Sequence, residues 1–183
     1  MSHNYKFRNP DGMYFITFSV VGWVDVFTRD VYREIVVDSF NWCIKNKGLV
    51  IHAWVIMTNH VHMIVSKKGE QPLEAILRDM KKFTSVKIIE AIKRNMGESR
   101  RNWMLTIFRE AGKVNSQNEK YQFWQNGNHP IELDYNKIIE QKVDYLHNNP
   151  VKQGFVNDPM CYPWSSAMDY SGIKGYVKVV LLD

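Results

Sequence analysis

The chain has 183 residues, 45% of them hydrophobic and 13% aromatic, which suits one folded domain with one core. No stretch approaches the roughly 18 consecutive apolar residues of a membrane-spanning helix, so we expect no membrane association. The 24 Lys and Arg residues outnumber the 19 Asp and Glu residues, and the formal charge of +5 favours a polyanionic partner.

The N-terminal stretch MSHNYKFRNPDG has basic residues but no apolar segment behind them, so it predicts no secretion signal and a cytoplasmic location. Cys43 and Cys161 lie far apart and lack the paired spacing of a zinc or redox site, so we expect two reduced thiols. No repeat or low-complexity linker divides the chain. The predicted organisation is a single domain over 1–183, with a core at about 13–166, a helical insertion at about 98–118 and a C-terminal tail at 160–183.

The predicted elements begin with a long strand over residues 13–27, which are rich in β-branched and aromatic types and bend at Gly22. Apolar runs on both sides of Thr58 and Asn59 predict an antiparallel hairpin, whose second strand is HVHMIVS. The other predicted elements are helices at 30–47, 72–95, 103–111 and 136–150, the last ended by Pro150, and a strand at 121–125.

The order of these elements is strand, helix, strand, strand, helix, strand and a closing helix. This order is typical of the ferredoxin-like split βαβ arrangement. We therefore predict an α+β fold, with an antiparallel central sheet and helices packed mainly on one face.

Two histidines, His60 and His62, stand two positions apart on the second strand of the hairpin. Side chains at i and i+2 share one face of a strand, so two neutral imidazoles so placed could hold one divalent metal. With six histidines in the chain, such a pair arises by chance in roughly one shuffled sequence in five, so two ordinary surface histidines remain the alternative.

The last predicted helix carries a second polar group, in the stretch DYLHNNP. Tyr145 and Asn149 are four residues apart and so lie on one helical face. A tyrosine can act as a covalent nucleophile, and the amide oxygen of Asn149 could complete a metal shell. The alternative is an ordinary amphipathic position, with the Tyr145 ring on the core and its hydroxyl in water.

Three stretches in this order, HAWVIMTNHVHMIV, VDYLHNNPVKQGFV and YPWSS, resemble the REP-associated tyrosine transposases. These are relatives of the single-strand transposases of small insertion sequences within the HUH endonucleases. The resemblance covers about residues 13–166. It implies that His60 and His62 are metal ligands and that Tyr145 is the nucleophile. It places Asn149 where the insertion-sequence relatives have a glutamine. Because asparagine is shorter than glutamine, three cases stay open: direct ligation of the metal, contact through a water molecule, and no contact.

The resemblance implies a metal-dependent endonuclease and strand transferase that acts on single-stranded or hairpin DNA through a 5′-phosphotyrosine intermediate. Two imidazoles and an amide form a mixed nitrogen and oxygen site, which leaves the metal open between magnesium and manganese. The expected assembly is a monomer or a homodimer.

Basic residues follow the histidines along the chain, and we expect them to lie beside the site and contact DNA phosphates. The alternative for each is a solvated helix face. The residues are Lys67, Lys68, Arg78, Lys81, Lys82 and Lys87.

Two other functions compete with this interpretation. A non-cutting module that binds structured nucleic acid would fit the same fold, although HVHMIVS lacks the aromatic pattern of ferredoxin-like RNA-binding domains. A metallohydrolase of small molecules would need more carboxylates near the histidines than HVHMIVSKK offers.

Overall fold

A computed structural model of the protein describes residues 7–114 and 120–182. Among these residues the strands are β1 (Tyr14–Ser19), β2 (Leu49–Ile56), β3 (His60–Lys67) and β4 (Ile131–Glu132). The helices are α1 (Asp30–Lys47), α2 (Leu73–Arg94), α3 (Arg101–Lys113), α4 (Asn136–Lys152) and α5 (Ala167–Tyr170). Short 3₁₀ turns lie at Val21–Trp23, Val26–Thr28 and Pro159–Cys161.

The four strands form one antiparallel sheet in the order β2-β3-β1-β4. This order and the βαββαβ sequence of elements are those of the ferredoxin-like fold, so the predicted fold class is confirmed. The hairpin of β2 and β3 turns at Thr58 and Asn59, as predicted. α1 ends at Gly48, whose left-handed backbone (φ 73°) allows the chain to turn directly into β2.

One face of the sheet is covered by α1 and α2. The Lys81 ammonium of α2 lies 5.1 Å from the centre of the Phe18 ring on β1, and Phe40 of α1 packs edge-on against Trp54 of β2. Phe18 and Trp54 are both buried in the core between the sheet and these two helices.

The opposite face carries α4. Phe15 and Thr17 alternate with Phe18 along β1 and therefore face the other way. Tyr145 of α4 packs edge-on against Phe15, with ring centres 6.1 Å apart. The helices thus lie mainly on one face, as predicted, and the helix that carries Tyr145 lies on the other.

The first strand is shorter than predicted. β1 ends at Ser19, and the chain continues through two 3₁₀ turns instead of extending to residue 27. Gly22 and Trp23 adopt left-handed backbone angles (φ 64° and 54°), which a β-strand cannot accommodate. The predicted bend at Gly22 therefore ends the strand.

The predicted strand at 121–125 is also wrong. Only an isolated bridge joins Trp124 to Val20, and the fourth strand is Ile131–Glu132. Gly127 and His129 between them have positive φ angles of 83° and 44°, so the chain cannot continue as one strand from Trp124 to Ile131.

The end of α4 also differs from the prediction. Pro150 does not end α4, which continues to Lys152, because a proline so close to a helix end removes only one hydrogen bond of the last turns. The predicted insertion at 98–118 contains α3, and its residues 115–119 lie outside the described residues.

The C-terminal segment covers the free edge of β2. The Ser166 N–H donates to the Trp54 carbonyl, and the Val180 N–H donates to the Ile51 carbonyl, both at 2.9 Å. An uncovered edge strand would be a template for pairing with another chain, so this segment protects the sheet. No helix formed by the described residues combines the length and the apolar character needed to cross a bilayer.

Candidate active site

The two histidines lie side by side at the N-terminal end of β3. The strand pairs with β1 so that His60 is opposite Ser19 and His62 is opposite Thr17. Because the side chains alternate along the strand, both imidazoles project from the face that carries α4. Their ring centres are 4.7 Å apart, which is close enough for both to contact one metal ion or one phosphate.

His60 is oriented by the residue before it. The Asn59 side-chain amide donates to the Trp23 carbonyl at 3.3 Å and to Asp25 Oδ1 at 3.0 Å, which identifies its other atom as the oxygen. That oxygen accepts from His60 Nδ1 at 2.7 Å. Nδ1 therefore carries the proton, and the lone pair of Nε2 is available to a ligand.

His62 is the more deeply buried of the two histidines. Its Nδ1 lies 2.8 Å from the Thr17 hydroxyl, and its ring stacks on Phe15 with centres 5.2 Å apart. A hydroxyl can accept a hydrogen bond, so Thr17 can hold the tautomer that leaves Nε2 free.

Both imidazoles are neutral at physiological pH. Burial lowers the pKa of His62 to about 3, and the neighbouring charges of His60 and Lys142 act in the same direction. Burial also lowers the pKa of His60, which the Asp25 carboxylate opposes. Neutral imidazoles are the form that ligates metals, so the environment favours ligation over protonation.

Tyr145 of α4 packs against one of the two histidines, His62. Its ring centre is 5.4 Å from that of His62, in an edge-on arrangement, and 6.1 Å from that of Phe15. The side chain is 41% exposed, so a substrate can reach it from solvent. The structure therefore brings the predicted nucleophile and a predicted ligand together within one chain.

Two lysines that the sequence-based prediction missed flank Tyr145. Lys142 Nζ lies 5.7 Å and Lys152 Nζ 5.6 Å from the centre of the Tyr145 ring, and Lys142 also lies 4.7 Å from the centre of Phe15. The signal was present in the sequence: Lys142 is three residues before Tyr145 and Lys152 is seven after it, so all three share one face of a helix.

Asn149 follows Tyr145 by one helical turn and is buried, with 7% of its surface exposed. Its carboxamide makes no hydrogen bond to any residue that the structure describes, and no contact places it against either imidazole. Within residues 7–114 and 120–182, no group of three or more His, Cys, Asp or Glu side chains could hold a metal ion. The two imidazoles are available to a metal, and ligation by the Asn149 amide stays a prediction.

The basic residues predicted to lie beside the histidines do not lie there. Arg78, Lys81, Lys82 and Lys87 belong to α2, which packs on the opposite face of the sheet. Lys67 and Lys68 stand at the far end of β3, roughly 20 Å from His60 at about 3.3 Å per residue. β3 carries the chain away from the histidines, so residues that follow them in sequence do not lie beside them.

Several of these cations already have protein partners. Lys81 Nζ donates to the carbonyls of Gln125 and Gly127 and to Asn128 Oδ1, at 2.8–3.1 Å. Burial lowers its pKa to about 8. Lys81 therefore holds the loop before β4, and Lys67 is engaged by Asp11 at 3.1 Å. DNA contact by the six residues stays a prediction.

His147, beside Tyr145, has a structural role. Its Nε2 lies 2.8 Å from the Ser166 hydroxyl, and its ring packs edge-on against Tyr170. These contacts join α4 to the C-terminal segment. Burial lowers the pKa of His147 to about 4.

The fold is similar to that of a solved transposase. A solved structure of a REP-associated tyrosine transposase bound to a REP hairpin superposes with a TM-score of 0.62 and 18% identity, covering 98% of this chain and 92% of that chain. A second solved structure, of a protein from Deinococcus radiodurans described as a transposase, has a TM-score of 0.45 and 12% identity, covering 81% and 95%. No match was found among curated proteins.

The family described as "Transposase IS200 like" matches residues 12–149, a span that includes His60, His62, Tyr145 and Asn149. The chain therefore belongs to the IS200-like transposase family. The protein is a transposase that acts on DNA, and the resemblance identified from its three sequence stretches is confirmed at the level of the family.

Proposed function

We propose that this transposase is a metal-dependent endonuclease and strand transferase of single-stranded or hairpin DNA, and that Tyr145 forms a 5′-phosphotyrosine intermediate. One observation carries the proposal: the exposed Tyr145 ring lies 5.4 Å from that of His62, on the face where both imidazoles project. A nucleophile and a phosphate-binding group must be adjacent for phosphoryl transfer, because proximity and electrostatic stabilisation supply most of this catalysis.

The reaction exchanges one phosphodiester for another. The Tyr145 oxygen forms a bond to phosphorus as the phosphorus bond to the 3′-oxygen breaks. The phenol loses its proton, and the departing 3′-oxygen gains one. Because the phosphodiester energy is kept in the tyrosine linkage, attack by another 3′-hydroxyl rejoins the strands without a nucleotide cofactor.

Lys142 and Lys152 support the nucleophile in this proposal. Their ammonium groups lie 5.7 and 5.6 Å from the centre of the Tyr145 ring. Positive charge at this distance attracts the phosphate that Tyr145 attacks. The side chains thereby bind substrate at the position where the bond changes.

His60, His62 and the Asn149 amide would hold the divalent metal, magnesium or manganese. The neutral imidazoles and the fixed proton on His60 Nδ1 fit this role. When bound, the metal neutralises charge on the non-bridging oxygens of the phosphate.

The DNA substrate is proposed from the similar structure, in which a transposase is bound to a REP hairpin. Hairpin DNA is expected here as well, since this chain and that one share a fold over nearly their whole lengths. Tyr145 and His62 belong to one chain, which supports activity as a monomer, and a homodimer would hold two such sites.

The proposal is tested with palindromic single strands with randomised flanks, labelled at either end and incubated with the protein and Mn²⁺. On a denaturing gel the 3′-labelled strand should migrate with the protein, because the 5′-phosphate of that fragment joins Tyr145. The 5′-labelled strand should yield a free shorter fragment.

Tyr145→Phe should abolish both products. Tyr135→Phe is the matched control, since Tyr135 lies just before the same helix and is 70% exposed. An adduct formed by Tyr145→Phe would overturn the assignment of the nucleophile. Binding without any cut product would favour the non-cutting nucleic-acid-binding module.

A further inference from the structure

Trp23 is an exposed aromatic residue next to the site. It lies just beyond β1, is 59% exposed, and its ring centre is 6.4 Å from that of His60. Its backbone has a φ of 54°, in the left-handed region that bulky residues rarely adopt. The chain thus holds a large apolar ring in water, in an unfavourable backbone conformation, at the edge of the phosphate-binding face.

The backbone of Trp23 is held next to His60. The Asn59 side chain donates to the Trp23 carbonyl at 3.3 Å and accepts from His60 Nδ1 at 2.7 Å. The Trp23 N–H donates to the Val20 carbonyl at 3.1 Å. One amide side chain therefore contacts both the Trp23 backbone and the imidazole, so the fold sets the position of the Trp23 backbone relative to His60.

An exposed aromatic ring beside a phosphate site suits one ligand above others. Every nucleotide base has a flat π face, and stacking on an aromatic residue is a common way of binding unpaired bases without reading their sequence. A base attached to the phosphate at His60 and His62 lies within reach of a ring that touches His60. Trp42 is exposed to a similar extent but lies on α1, which covers the opposite face of the sheet.

We propose that Trp23 is a stacking platform for an unpaired base of the nucleotide that adjoins the phosphate bound at His60 and His62. The inference rests on the proposed function, because it requires DNA at this face. It adds a base-binding site beside the metal ligands. Stacking there would fix the direction of the strand relative to Tyr145.

The test measures binding alone, in protein that carries Tyr145→Phe so that no covalent product forms. The probe is a fluorescein-labelled palindromic strand with unpaired flanks, and its anisotropy is followed in Mn²⁺. A set of otherwise identical strands carries one abasic site each, moved through the flanks. Trp23→Ala, Trp23→Phe and the control Trp42→Ala are compared with the parent protein.

Trp23→Ala should weaken binding by about tenfold, since one stacked base contributes roughly that factor. Trp23→Phe should retain most of the affinity, and Trp42→Ala should bind as the parent does. An abasic site at one position of the strand should weaken binding by the parent protein by a similar factor. The same abasic site should not weaken binding by Trp23→Ala any further. An unchanged affinity of Trp23→Ala, or equal sensitivity to that abasic position, would overturn the proposal.

A second measurement needs no substitution at Trp23. 5-Iodouracil at the sensitive position, irradiated in the complex, should crosslink to the peptide that contains Trp23. Crosslinks only to other peptides would contradict the stacking even if Trp23→Ala failed to fold.

Covalent adducts are scored separately in protein with Tyr145 intact. If none form while the abasic effect depends on Trp23, the cleavage chemistry is wrong and the stacking site is supported.

Discussion

The two lysines beside Tyr145 give the most quantitative prediction of DNA binding. Lys142 and Lys152 place two ammonium groups within 6 Å of the ring that would attack the phosphate. Each phosphate contact to a single strand contributes about 0.7 to the slope of log K against log salt concentration. Replacing both lysines with alanine should therefore reduce the slope by about 1.4.

This change is large enough to measure. Across a tenfold rise in salt, the double variant should lose about 25-fold less affinity than the parent loses. Both proteins should carry Tyr145→Phe, and fluorescence anisotropy with a hairpin strand gives the affinity at each salt concentration. A matched control is Lys45→Ala with Arg94→Ala, which removes the same charge from exposed positions on α1 and α2.

The control pair should leave the slope unchanged, because it lies on the other face of the sheet. If Lys142→Ala with Lys152→Ala kept the slope of the parent, the DNA would not pass over Tyr145 and the proposed site would be wrong. A third pair, Lys82→Ala with Lys87→Ala, tests the sequence-based prediction that α2 contacts DNA. A shallower slope for that pair would show a second contact surface.

Two further changes test the surroundings of the histidines. Asn59→Ala removes the acceptor that fixes the His60 proton, so the Mn²⁺ affinity measured by calorimetry should fall about ten- to a hundredfold. The control Asn46→Ala, on α1, should not alter this affinity. If Asn59→Ala bound Mn²⁺ as tightly as the parent protein, Asn59 would not orient His60. His147 has a folded pKa of about 4 against 6.5 when unfolded, so between these values only the unfolded chain binds the proton and stability falls as pH falls. His147→Gln should reduce that loss by about 3 kcal/mol, at about 1.4 kcal/mol per pH unit, in denaturant unfolding measured from pH 7 to pH 4. A variant with the same pH dependence as the parent would show that His147 is not buried as a neutral ring.

The regular part of the fold could be predicted because its signals are local. The β2–β3 hairpin follows from apolar runs around a short polar turn, and the long helices follow from their apolar spacing. β4 could not be predicted, because a two-residue strand has no periodicity of its own. Its place depends on the loop that Lys81 holds from the far side of the sheet.

The site was predictable where its residues share one element. The spacing of His60 and His62 puts them on one face of β3, and Tyr145 shares a helical face with the missed Lys142 and Lys152. Which face of the sheet each helix covers depends on the path of the chain, and local spacing does not contain it. The lysines of α2 lie on the face opposite the histidines, which local spacing does not predict.

Trp23 illustrates the same limit at the level of the backbone. The sequence around Gly22 fits a strand, and in a strand this tryptophan would have been counted as part of the core. The left-handed backbone at Gly22 and Trp23 turns the indole out to solvent beside His60. Hydrogen bonds from residues distant in sequence, such as Asn59, stabilise that turn.

The central claim is that Tyr145 becomes covalently joined to DNA, and peptide mass spectrometry of the adduct tests it most directly. Trypsin cuts after Lys142 and Lys152 and releases VDYLHNNPVK, whose only hydroxyl side chain is that of Tyr145. After nuclease treatment, the account predicts that this peptide carries the mass of a nucleotide joined through its 5′-phosphate. A nucleotide on any other peptide would contradict it. So would a VDYLHNNPVK peptide that stays unmodified in reactions where the DNA has been cut.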